Sequence, residues 1–539
     1  MAVIPAGNTS SAQGSPAPAR RVGPGGLGAR GTNALPGRES VPLPDGVSLS
    51  VEGRSLTMAA SRGVLWSGIN VVAKSGVRFV TTALLARVLL PEDFGILGMA
   101  LMVNEMVNLL GGLSLGQALI QKRSVDERHF HTMFWANLIV GVVLAVGFLL
   151  AAPVASAFFH NDRVGPVVMA MSLNFLLTSA GGVHRAMLTR QLQFRRFSIL
   201  NITSTAVRSV VSLTLVYGGA GLWGVVAGIL AERATALVLL AVMVRWRPKF
   251  EFHWDAFREL FRFSRNLYAD NFARYFNTNT DFLLTGRLLG ASALGFYQLA
   301  YNLPHIVLTH ISETISEILF PIYCRVQDDH ARFRRGFSMT VVFIALVTFP
   351  CMAGLAVIAP EFVRAVYGVR WAAAIVPMQV LCLAAAANSV FDPIGSLCHS
   401  KGRPDIGLKW NFLILPLTVA ALMFASRWGV VGIAAAMSGL ALCSIICVRI
   451  AIRLIGLRLS DYLRALTPAL GGSLVMALAL LTLRLWLALR WPGVSDAVVL
   501  AVCVPFGAAV YLAAIWLLWS QTASEFMGFA RRVLGRKVA

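Results

Sequence analysis

From residue 63 to residue 519 the chain is a succession of apolar stretches about twenty residues long, and this constrains its fold more than any other feature. About twenty residues of α-helix cross the hydrocarbon of a bilayer, where each backbone polar group has to find its partner within the segment. Fourteen segments can be drawn, at 63–86, 94–119, 132–157, 164–184, 198–217, 222–244, 266–286, 294–321, 336–358, 371–396, 410–426, 429–448, 465–488 and 496–519. The pattern predicts an all-α polytopic membrane protein with about fourteen transmembrane helices. Composition supports it: only 13% of residues are charged, 57% are hydrophobic, and mean hydropathy is +0.70. A soluble domain carries about 25% charged residues, so lipid rather than water must cover much of this surface. The seventh segment is the least apolar, with Asp270, Arg274 and Asp281. An even segment count, which keeps the loops on consistent sides, requires it.

The net charge of +22 would suggest nucleic acid in a soluble protein. Here the basic residues form short clusters between apolar segments, as in cytoplasmic membrane loops, which excludes that class. With a cytoplasmic N-terminus, 34 of the 47 Lys and Arg fall in cytoplasmic segments. Seven fall in outer loops: Arg87, Arg163, Arg287, Arg364, Arg370, Arg427 and Arg490. The positive-inside rule therefore predicts a multi-pass protein with both termini cytoplasmic. No outer loop exceeds about fifteen residues, so none hosts a soluble domain.

Residues 1–57 are rich in Gly, Pro, Ala, Ser and Arg and have no apolar period, which predicts a disordered cytoplasmic tail without a secretory h-region. Met58 opens a stretch that itself reads as a natural start. The rest divides into an N-terminal six-helix unit at 58–250, a second at 251–455, two further helices within 456–522 and a basic tail at 523–539. Shifting the sequence by 200 residues supports the pairing of the six-helix units. Leu84-Leu85-Ala86-Arg87-Val88-Leu89 then overlies Leu284-Thr285-Gly286-Arg287-Leu288-Leu289, and Gly95 overlies Gly295. An offset of six spans makes the repeats parallel, a plan common in transporters with substrate between the halves.

Charged side chains within spans are costly and face a cavity or a partner. Trp66, Asn70, Lys74 and Arg78 recur every fourth residue on one helical face of the first segment. Asn266, Asp270, Arg274 and Thr278 do so on the seventh, and under the shift Lys74 overlies Arg274. The two stripes are expected to line a hydrated, net-basic cavity, with Arg208 a further candidate. Such a cavity suits an anion, above all phosphate or pyrophosphate. Asp270, Asp281 and Glu313 are the candidates for binding a coupling proton or sodium ion. The structural alternatives are pairing of Lys74 or Arg78 with Glu105, pairing within Glu232-Arg233, and snorkelling of Arg233 and Arg484.

No catalytic constellation is visible. There is no phosphate-binding Gly-rich loop. His129, His131, His305 and His310 lack metal spacing, and the seven cysteines read as small apolar packing residues. No cofactor, metal or enzymatic activity is expected.

Several segments also carry a resemblance. They are Leu85-Ala-Arg-Val-Leu-Leu-Pro-Glu-Asp-Phe-Gly-Ile-Leu, Gly116-Gln-Ala-Leu-Ile-Gln-Lys with Phe134-Trp-Ala-Asn, and His184-Arg-Ala-Met-Leu-Thr-Arg-Gln-Leu-Gln-Phe-Arg-Arg. Gly221-Leu-Trp-Gly-Val-Val, Leu294-Gly-Phe-Tyr-Gln-Leu-Ala-Tyr and Leu319-Phe-Pro-Ile-Tyr-Cys-Arg-Val-Gln continue the series. In order and spacing, from about residue 60 to 460, the chain resembles the polysaccharide repeat-unit flippases (Wzx type) of the multidrug/oligosaccharidyl-lipid/polysaccharide exporter superfamily. The resemblance implies two six-helix lobes in a V shape, followed by two more helices. It implies movement of undecaprenyl-pyrophosphate-linked oligosaccharide across the bacterial inner membrane for lipopolysaccharide or exopolysaccharide synthesis, alongside a polysaccharide polymerase and a chain-length regulator. It further implies that Lys74, Arg78 and Arg274 hold the pyrophosphate or acidic sugars, with Asn70, Asn266 and Trp66 on the sugars. A peptidoglycan-precursor flippase is a variant of this reading. A drug antiporter of the same superfamily would need an acidic cavity, and a membrane polymerase or ligase a large outer loop.

Overall fold

The computed structural model describes residues 70, 73–111, 126–191, 193–309, 329–521 and 524; the side chains of 109–111, 256, 259–274, 330 and 404 lie outside that description. Among the described residues all regular structure is helical. Helix α1 covers 73–88. It is followed by α2 (Pro91–Gly111), α3 (Glu127–Phe159), α4 (Val164–Arg190), α5 (Phe194–Ala220) and α6 (Leu222–Met243). Next come α7 (Trp254–Leu308), α8 (Ala331–Tyr367), α9 (Val369–Ser400), α10 (Pro404–Ala425), α11 (Gly429–Cys443) and α12 (Ile445–Ile452). The last are α13 (Leu459–Arg490) and α14 (Asp496–Leu518). Nine helical stretches among the described residues are long and apolar enough to cross a membrane.

Each apolar segment drawn from the sequence lies on helix wherever it is described, but two boundaries differ. The seventh and eighth segments share the long run of α7, which begins well before residue 266. Nothing in the mixed apolar and charged stretch 254–265 stops a helix, because it contains no proline or glycine. The run changes direction at Gly290, where φ is +83°, a conformation that costs only glycine nothing. The eleventh and twelfth segments likewise belong to one stretch, Asp405–Ile455, interrupted by a 3₁₀ turn at Ser426–Trp428.

The helices bury small and bulky apolar residues inward and still show apolar residues outward. One core unites α1 to α7 around Ile96, Met99, Phe148, Val168 and Leu294. A second joins α7, α8, α9, α10 and α11 around Tyr297, Ala359, Trp371 and Met378, and receives Ala86 from α1. A third seats α13 and α14 on α8 and α9 through Phe337, Tyr462, Met476 and Cys503. On the outside, Leu150, Val242, Phe412, Leu489 and Leu512 are all more than 65% exposed. A helix that is apolar all round belongs in a core or in lipid, and among the described residues these faces are exposed. Cys382, Cys398, Cys447 and Cys503 are buried and unbridged, consistent with packing.

Candidate functional site

Near the middle of α6, Glu232 is buried to 7% exposure and gathers donors from two neighbouring helices. Arg208 of α5 donates from Nη1 to Oε2 at 3.0 Å. Arg78 of α1 donates from Nη2 to Oε1 at 3.5 Å, and Thr205 donates to the same oxygen at 3.4 Å. One turn along, Thr81 Oγ1 donates to Ser209 Oγ at 2.8 Å, which fixes α1 against α5. The four-residue spacing of Arg78 with Lys74, and of Thr205 with Ser209, puts each pair on one helical face.

The carboxylate is enclosed, but the cations are not. The side chain of Arg78 remains 47% exposed and that of Arg208 27%. Lys74 and Arg233 are electrostatic neighbours of the same carboxylate, and Arg185 neighbours Lys74 and Arg233. Glu105 of α2 answers to Arg233. Among the described residues five cations thus stand against two carboxylates, and the guanidiniums of Arg78 and Arg208 are held by one of these while their side chains stay partly exposed. Guanidinium forks match phosphate oxygens geometrically. Toward the start of α5, Arg185 stacks over the Phe197 ring at 4.8 Å. Beside it Asn70, Gln193 and Phe197 line a cavity of about 140 Å3. Among the described residues the Asn70 Oδ1 and Gln193 Oε1 atoms, buried there, have no hydrogen-bond partner.

This arrangement corrects several readings of the sequence. Arg78 pairs with Glu232, not Glu105, and Glu232 pairs with Arg208 and Arg78 rather than with its neighbour Arg233. Arg484 does not snorkel: its Nε donates to Glu361 at 2.7 Å and its Nη1 to the Val357 carbonyl at 3.2 Å. Glu361, 5% exposed, escaped notice because it lies where a loop was expected. Arg364 completes this second cluster, 3.6 Å from Glu361 and bonded through Nε and Nη2 to Asp496 at 3.0–3.3 Å. Arg185 and Arg233 were not foreseen in the first cluster, since no local signal marks residues that meet only through packing.

Asp281 is 2% exposed and accepts a hydrogen bond from Tyr297 Oη at 2.7 Å. Among the described residues no basic side chain lies within ion-pair distance of it, and it joins neither charge cluster. Asn266, Asp270 and Arg274 lie on α7 but their side chains are outside the description, and Trp66 and Glu313 lie outside the described residues. The 1–57 tail, most of the 523–539 tail and the motifs beginning at Gly116 and Leu319 also lie outside them.

Residues 84–376 match the family described as polysaccharide biosynthesis protein. The chain belongs to that family. It is 30% identical over 386 residues to the lipopolysaccharide biosynthesis protein WzxC of Escherichia coli K12, covering 70% of this chain and 78% of that one. It is 27% identical over 377 residues to the teichuronic acid biosynthesis protein TuaB of Bacillus subtilis 168, with the same two coverages. Its fold is similar to that of a solved structure described as the lipid II flippase MurJ, inward closed conformation. The TM-score is 0.69 at 11% identity, over 85% of this chain and 99% of that one. This member of the polysaccharide biosynthesis family is thus helical throughout the regular structure of its described residues, with helices long and apolar enough to cross a membrane and a fold similar to that of MurJ.

Proposed function

We propose that this protein moves undecaprenyl-pyrophosphate-linked oligosaccharide repeat units from the inner to the outer leaflet of the bacterial cytoplasmic membrane by alternating access. The observation that carries the reading is the pair of guanidiniums, Arg78 and Arg208, held by one buried carboxylate with donor edges open. A diphosphate needs two such forks at a fixed separation, and Glu232 supplies the fixing. Lys74 adds a point charge, and Arg274 extends the site from the second half. Asn70, Asn266 and Trp66 contact the sugars.

In this reading the segments 58–250 and 251–455 are the two six-helix lobes, the helices within 456–522 complete fourteen spans, and both termini are cytoplasmic. The protein is a transporter and not an enzyme. A proton or sodium ion bound at Asp281, Asp270 or Glu313 couples the cycle. The polymerase and the chain-length regulator receive the product. A drug antiporter reading is disfavoured because the cluster is net basic, whereas cationic drugs need an acidic pocket.

The test is a deletion strain complemented with wild-type or Lys74→Ala protein, with surface polysaccharide and lipid-linked repeat units quantified. Loss of polymer with accumulation of the lipid-linked unit is expected both in the deletion and with Lys74→Ala. A deletion with unchanged polymer and no accumulation would overturn the flippase reading. Normal polymer from stably expressed Lys74→Ala would remove that residue from the site.

A further inference from the structure

Arg87 and Arg287, equivalent under the 200-residue shift, each bind a helix end belonging to the other half of the sequence. Arg87, at the end of α1, donates from Nε to the Val366 carbonyl at 3.1 Å and from Nη2 to the Ala365 carbonyl, both in the last turn of α8. Arg287 donates from Nη1 to the Phe158 carbonyl in the last turn of α3 and lies 3.2 Å from His160 Nδ1, with its guanidinium 4.9 Å from the Phe158 ring centroid. Both target helices then stop at a positive-φ residue, His160 after α3 and Gly368 after α8. The last carbonyls of a helix have no intrahelical partner and carry the negative end of its dipole, so a cation is the natural ligand there.

The two contacts lie at the same end of the helices, because the elements just after each arginine cross in backbone contact. A Cβ on Gly95 would sit 1.8 Å from the Ala291 carbonyl oxygen, and one on Gly295 would sit 2.0 Å from that of Pro91. Pro91 and Ala291 are themselves equivalent under the shift. Trp371 adds a third link between the halves, its Nε1 donating to the Ala86 carbonyl at 2.7 Å. Arg163, by contrast, bonds Asp93 at 2.8 Å and Glu92 at 3.2 Å within the first half.

We propose that Arg87 and Arg287 form a reciprocal clasp that closes the outer end of the transport pathway, and that both arms release together when the pathway opens outward. The assignment of this end as outer, and of a pathway to close, rests on the flippase reading above. The glycine crossing between α2 and α7 is the pivot, since backbones in contact can rotate but cannot part without losing their packing. Each arm is a charged donor on a helix-end carbonyl, a bond exchangeable with water at small cost. The clasp therefore holds the closed state without locking it.

Hydrogen–deuterium exchange on the full-length protein in lipid nanodiscs tests this for wild type, Arg87→Gln, Arg287→Gln and the double variant. Each single variant is expected to speed exchange at both helix ends, around 155–163 and around 363–371, on the order of tenfold. The double variant should go further. Faster exchange only at the end whose own arginine was removed would overturn the proposal, because that is the signature of two independent helix caps. If Arg87→Gln fails to accumulate, Arg87→Lys replaces it. Lysine keeps the charge but lacks the rigid planar fork that sets Nε and Nη2 on adjacent carbonyls, so a smaller rise at both ends is expected, and wild-type exchange at the far end would again overturn the clasp. The readout needs no substrate. Concerted exchange in a protein whose deletion accumulates no lipid-linked unit would sink the transport reading and leave the clasp standing.

Discussion

Arg208 and Glu232 meet at 3.0 Å across the α5–α6 interface, and Arg78 approaches the other oxygen of the same carboxylate. Glu232 is thus the shared anchor of two cations contributed by different helices. Removing the anchor differs from removing either cation, because it frees both guanidiniums and leaves them repelling one another.

Glu232→Gln should accumulate as folded protein, because glutamine keeps an acceptor for Arg208 and both guanidiniums reach water. The expected loss of stability is about 1–2 kcal/mol, discounted from the value for a fully buried pair by that exposure. Polymer output should fall further than this loss explains. Thermal denaturation in detergent beside polysaccharide quantification separates the two effects, and full output would show that the anchor is dispensable.

Arg484→Met should destabilise strongly, by about 3 kcal/mol, because it strips the buried Glu361 of its shortest partner. The loss should appear first in the docking of α13 and α14, which the Glu361, Arg364, Arg484 and Asp496 cluster ties to α8. Pairing Arg484→Met with Glu361→Leu should recover much of it. Limited proteolysis of the three proteins, together with their denaturation midpoints, checks the order.

Gly295→Ala should cost about 1–3 kcal/mol through overpacking, since its Cβ would land within bonding range of the Pro91 carbonyl. Gly354→Ala, where an added Cβ would meet only the Met476 methyl at 3.5 Å, should be nearly neutral. A thermal-shift comparison of the two variants tests the backbone crossing, and equal stability would contradict it.

Asp281→Asn retains an acceptor for the Tyr297 hydroxyl and should fold as wild type, with a midpoint within a few degrees. If Asp281 binds the coupling ion, polymer output should nevertheless fall sharply. Asp281→Leu, which strands the Tyr297 hydroxyl among buried groups, should also lose about 1–3 kcal/mol of stability. Wild-type output from the asparagine variant would remove Asp281 from ion coupling.

How much of this was legible beforehand follows from the range of each interaction. Helical segments about a bilayer thick, basic loops and the stripe of Asn70, Lys74 and Arg78 are properties of residues close in sequence, and a single chain of letters displays them. The family signatures are likewise local. The 200-residue offset is legible because Arg87 and Arg287, and Gly95 and Gly295, stand at it. Helix ends were less so: residues 254–265 fall between two drawn segments, yet they begin α7.

The sequence by itself determined that the protein is helical and built to lie in a bilayer, that basic residues dominate one set of its loops, and that cations enter its spans. Only the tertiary structure decided which carboxylate answers each cation. Glu232 lies 154 residues from Arg78 and Glu361 lies 123 from Arg484. Such pairs depend on how each helix is rotated and which neighbour it packs against. That rotation is set by small residues and side-chain volumes summed along whole interfaces, and no spacing rule within one segment reports it.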